Sequence, residues 1–143
     1  MKNVIVNMYL FWGAWRDIKT RRIKNIYLAL GGIPGFIITW LQIANEKIFL
    51  WEWICGLIPG MFFLVYAKAS KERVGLGDGM VLLVLANFFR CYELFQVLCI
   101  ALIFMILFSV VVLCMGRIFR DCEIPFLPFL WMSHSVLWGF HYV

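Results

Sequence analysis

Charge is what this chain has least of. Asp, Glu, Lys and Arg make up 15% of its 143 residues against 64% hydrophobic, and its mean hydropathy is +0.91. Soluble domains carry about a quarter charged residues, so a water-covered globule is excluded and the chain reads as an all-α integral membrane protein. Paired cysteines are lacking too. Cys55, Cys91, Cys99, Cys114 and Cys122 stand singly, without the close spacing that zinc sites and dithiol redox motifs need. Their odd number excludes a fully paired disulfide framework, and they read as buried free thiols. His134 and His141 lie seven positions apart, close to one helical face, but no third ligand accompanies them, so a metal site is not expected.

What is present is a series of apolar runs. Residues 1–15 form a short opening segment that lacks the small-residue cleavage site of a signal peptide. A basic stretch, Arg16-Asp17-Ile18-Lys19-Thr20-Arg21-Arg22, follows it and reads as a loop. Residues 26–44 make a second segment, close to the ~20 residues that cross a hydrocarbon core, with Pro34 expected to kink it. Residues 48–67 make a third, in which Glu52 is near enough to the end to snorkel. Residues 79–89 are too short for an upright crossing and read as a re-entrant segment or a short helix extended through Asp78 and Arg90. Residues 94–115 carry no charge and read as a lipid-facing or supporting helix. The last segment opens at Ile124-Pro125-Phe126-Leu127-Pro128-Phe129, where prolines suit a helix entrance, and runs to Val143. About six transmembrane segments in a single domain over residues 1–143 are therefore expected, the fourth short or re-entrant.

Of the 13 basic residues, all but Lys2, Lys47 and Arg90 fall in the loops after segments one, three and five. The positive-inside rule makes those loops cytoplasmic and the N-terminus external. This division accounts for the net charge of +5 through topology and anionic lipid, and leaves no reason to expect a nucleic-acid partner. Asp121 and Glu123 then balance Arg117 and Arg120 within one cytoplasmic loop.

The stretch that asks for a chemical explanation is Gly75-Leu76-Gly77-Asp78-Gly79, a glycine-framed carboxylate at the mouth of an apolar segment. A charge there needs a partner, a wet cleft or a function. The glycines offer backbone angles closed to other residues and room for a substrate chain; the structural alternative is that Asp78 is a helix N-cap. Topology places Asp17, at the end of segment one, on the same face as Asp78. Were the two carboxylates about 4 Å apart at an effective dielectric near 20, ionising both would cost on the order of 4 kcal/mol, so one would keep its proton near neutrality. Such a pair has the chemistry of an aspartic protease, one acid drawing a proton from water and the other polarising a carbonyl.

With these residues in place the chain resembles the type IV prepilin peptidases, membrane aspartic proteases with a Gly-x-Gly-Asp motif. Asp17-Ile18-Lys19-Thr20-Arg21-Arg22-Ile23-Lys24-Asn25 is similar to the family's first aspartate with its basic stretch and Ile-Pro-Asn. Gly75, Gly77 and Asp78 match Gly-x-Gly-Asp, and Ile124-Pro125-Phe126-Leu127-Pro128-Phe129 resembles the motif that opens the last family helix. Lys24 departs from the usual Pro, and Met80 from a common Lys. The resemblance implies an aspartic endopeptidase of the short, peptidase-only form, without the methyltransferase region. It further implies Asp17 and Asp78 as catalytic residues, Gly75, Gly77 and Gly79 beside the substrate backbone, and no cofactor. The implied partners are a prepilin-like (Flp-type) protein of type IV pilus or secretion systems and the lipid bilayer. The implied place is the inner or plasma membrane, multi-pass, with the active site facing the cytoplasm. The non-enzymatic alternative is a small transporter or structural subunit, in which Asp78 caps a helix and Asp17 pairs with Arg16 or Arg21; a catalytically silent relative is a third possibility.

Reporter fusions test the expected orientation. A reporter in the loop containing Lys68, Lys71 and Arg73 is expected inside and one after Val143 outside; an external signal from the former overturns the shared-face argument.

Overall fold

A computed structural model describes residues 2–20, 25–45, 50–69, 75–115 and 125–141. Among these residues the chain forms six helices: α1 (Lys2–Thr20), α2 (Asn25–Ala44), α3 (Leu50–Ala69), α4 (Leu76–Leu85), α5 (Cys91–Cys114) and α6 (Leu127–His141). The expectations for Arg21, Arg22, Lys24, Lys47, Lys71, Arg73, Arg117, Arg120, Asp121, Cys122, Glu123 and Ile124 fall outside the described residues. Three helices, spanning Ile26–Ala44, Leu50–Ala69 and Cys91–Cys114, are long and apolar enough to cross a membrane. The outward side chains of α5 include Ile103, Ile106, Leu107, Val110 and Leu113, a surface suited to lipid. The all-α membrane architecture is that of the sequence reading.

By contact the chain groups into two compact units. The first comprises residues 1–21 and 96–143, the second residues 22–95, so the division falls within α5.

In the first unit α1 packs on α6. Val6, Leu10, Ala14 and Asp17 are all buried, and their spacing of four, four and three puts them on one helical face. This face is why α1 continues through Asp17 to Thr20 where a loop was expected after residue 15. A helix needs only its own backbone bonds to go on, and Lys19 in its last turn suits the negative end. Polar groups fix the pairing: the Trp131 indole N–H donates to Asn7 Oδ1 at 2.7 Å, and Asn7 Nδ2 donates to Ser135 Oγ at 3.3 Å. Phe11 meets Trp131 edge-on, centroids 5.3 Å apart. Farther along, Phe108 of α5 packs against Phe129 of α6.

In the second unit α4 packs between contacts from α2 and α3. Gly56 of α3 lies by Ala86, Gly60 by Leu83, and Gly79 of α4 by Leu64, so α3 and α4 run antiparallel. Small residues let the two backbones approach closely, as in membrane helix pairs generally. On the α2 side, Gly35 lies against Phe88 and Asn87, and α2 runs unbroken through Pro34.

α4 has 10 residues, about 15 Å at 1.5 Å per residue. It begins ahead of Asp78 as the extended reading required, but it stops at Leu85, short of Arg90. The apolar stretch after Leu85 turns because Asn87 satisfies the helix end: its Nδ2 donates to the Leu83 carbonyl at 2.9 Å and its N–H to the Val84 carbonyl at 3.1 Å. Phe88 and Phe89 N–H both donate to Leu85 O. Thr39 Oγ1 donates to Asn87 O at 2.6 Å, and Trp53 Nε1 to Asn87 Oδ1 at 3.2 Å.

The described cysteines are free thiols, as read, but not buried ones. Cys99 and Cys114 are exposed, while Cys55 and Cys91 are half-buried. A cysteine on a lipid-type surface needs no burial, because the surroundings are already apolar.

Two glycines on α3 separate packing from composition. A Cβ at Gly60 would stand 2.7 Å from Leu83 Cδ2 and 2.9 Å from its backbone N, whereas one at Gly56 would meet nothing nearer than 3.8 Å. Gly60→Ala is expected to destabilise the folded protein by about 1–3 kcal/mol, in the range of overpacking, and Gly56→Ala to be near neutral. Thermal unfolding in one detergent compares them.

Candidate active site

Asp17 sits in the last turn of α1 with 8% of its surface exposed. Its Oδ2 accepts the backbone N–H of Leu127, the first residue of α6, at 3.3 Å. A buried carboxylate is tolerated where donors meet it, and the positive end of a helix suits a negative charge. Arg16, its neighbour, lays its guanidinium 5.6 Å from the centre of the Trp12 ring.

Asp78 lies in the second unit, half-buried in the first turn of α4. The N-cap is Gly75, three residues earlier, with φ −62° and ψ 124°. Asp78 is therefore not the N-cap of the structural alternative. Its N–H donates to Gly75 O at 3.1 Å. Gly75 has an angle open to any residue, so the freedom argued from sequence is not what glycine supplies here. Space is: a Cβ on Gly75 would stand 3.2 Å from Asp78 Oδ2. Gly77 lies within α4. Gly79 is buried, and a Cβ there would come within 2.9 Å of Leu64 Cγ, so this glycine lets α3 approach α4.

The remaining candidates go elsewhere. Met80 is exposed on α4. Glu52 borders a small recess with Thr39, Trp53, Asn87 and Arg90 at the Leu85 end of α4, away from Asp78. His134 is buried, with Nε2 3.4 Å from the Asn3 carbonyl; the side chain of His141 is outside the described set. Among the described residues no three His, Cys, Asp or Glu side chains gather as a metal site requires. Sequence reasoning missed Asn7, Asn87 and the Leu127 N–H. For the asparagines the signal was an amide inside an apolar run; a backbone donor leaves no such mark.

The chain is thus a helical membrane protein with one carboxylate buried on a helix face and a second in the opening turn of a short, glycine-framed helix. A model of the type IV leader peptidase family matches residues 4–110, and the chain belongs to that family. The matched span includes both aspartates and ends within α5. Comparisons with curated proteins and with solved structures give no match.

Gly75→Ala tests the close approach to Asp78. Its backbone angles suit Ala, so folding should be unchanged, while displacement of the carboxylate by a few tenths of an ångström should lower peptidase turnover by roughly tenfold. Turnover and thermal midpoint measured on the same preparation check both halves.

Proposed function

We propose that the chain is an aspartic endopeptidase of the peptidase-only form, which removes the leader from prepilin-like, Flp-type precursors at the cytoplasmic face of the membrane. The observation that carries this reading is the family match running through both Asp17 and Asp78. Asp17 and Asp78 are the two acids, one taking a proton from the attacking water and the other polarising the scissile carbonyl. Gly75 and Gly77 lie toward the substrate backbone; Gly79 serves it from behind, by seating α4 on α3. No cofactor takes part. The non-enzymatic alternative is weakened because Gly75, not Asp78, holds the N-cap position.

Co-expression with a prepilin-like precursor, with the leader followed by mass, tests the assignment. Asp17→Asn and Asp78→Asn keep the shape and remove the ionisation, so each is expected to abolish cleavage in a protein that still inserts and folds. Combining them should cost no more than either alone, as for groups acting as one unit. Retained cleavage in Asp78→Asn would remove that residue from the mechanism.

A further inference from the structure

The Asp17 contact is specific in a way the helix itself dictates. The first N–H groups of a helix have no partner within it. In α6, Pro128 has no N–H, and the Phe129 and Leu130 N–H groups both turn to the Phe126 carbonyl, at 3.1 and 3.2 Å. The N–H of Leu127 is the one that reaches Asp17 Oδ2. Leu127 is itself fully buried, and α6 is tied along α1 by Asn7, Trp131 and Ser135.

We propose that the Phe126-Leu127-Pro128 entrance of α6 is a positioning element for Asp17: the Leu127 N–H orients the carboxylate and stabilises its charged form. The proposal rests on the peptidase reading above. A hydrogen bond from a backbone N–H to a carboxylate favours the ionised state. Its loss therefore moves protonation of Asp17 to higher pH, and with it the acidic limb of the rate profile. Among the described residues, Arg16 and Lys19 flank Asp17 in sequence on α1. On α6 there is His134, two turns beyond Leu127 and directed at Asn3.

The test replaces Leu127 by its α-hydroxy analogue, which turns one amide into an ester and deletes the N–H without touching any side chain. The same replacement at Leu130, whose N–H donates to the Phe126 carbonyl just ahead of α6, is the control for weakening the helix. Full-length protein is used. Leader cleavage is measured against pH, and the carboxyl carbon of Asp17 is titrated by NMR in the absence of substrate, assigned with Asp17→Asn. The Leu127 ester is expected to raise the Asp17 titration and the acidic limb by about one pH unit and to lower kcat about tenfold, with KM within about twofold; the Leu130 ester is expected to move neither pH value. An unmoved Asp17 titration in the Leu127 ester, or an equal movement in the Leu130 ester, overturns the proposal. A moved titration in a protein whose wild type cleaves no prepilin-like substrate overturns the peptidase reading, and the catalytic role falls with it while the contact stands. Trp131→Phe, which keeps the ring and removes the donor to Asn7, supplies a second variant should the esters not fold. It is expected to lower kcat severalfold at constant KM, and an unchanged kcat counts against the positioning role.

Discussion

A helix that stops must find partners for the carbonyls at its end, since those of its last turn have none within it. The second unit is built around that requirement. α4 ends at Leu85, and the carbonyls of residues 82–85 are taken by N–H groups of the turn or by the Asn87 side chain, while Thr39 of α2 closes the Asn87 carbonyl. Trp53 of α3 then holds the Asn87 amide oxygen. One asparagine thus joins three helices and lets α4 be short. Because α4 is short, its opening turn, with Asp78, is set by the neighbours that grip it.

The two carboxylates are held by different means. Asp17 belongs to a buried face and meets a backbone donor from another helix. Asp78 is held by its own helix turn, under a glycine that leaves its carboxylate room.

The helices and the aspartates were legible because apolar length and isolated charge are local properties of the chain. The family resemblance drew on local motifs as well. What was not legible depended on partners distant in sequence. The basic residues after Trp15 looked like a loop, yet Asp17 continues a face begun at Val6, and only α6 reveals that face as buried. Residues 86–89 looked like more of segment four, whereas Asn87 ends it. The glycines around Asp78 read as conformational freedom, but Gly75 has an ordinary φ and Gly79 packs on Leu64. The contact that reaches Asp17 comes from a backbone N–H, which every residue but proline possesses and no residue letter announces.

The half-length of α4 also bears on how it sits among helices that do match a bilayer. α2 and α3, at 20 residues each, are about 30 Å long, matched to an ordinary hydrocarbon core, and a thinner bilayer makes such helices tilt. α4 has no span of its own to match. It follows α3 through the close contacts at Gly60 and Gly79, so a tilt of α3 carries the opening turn of α4, and Asp78 with it.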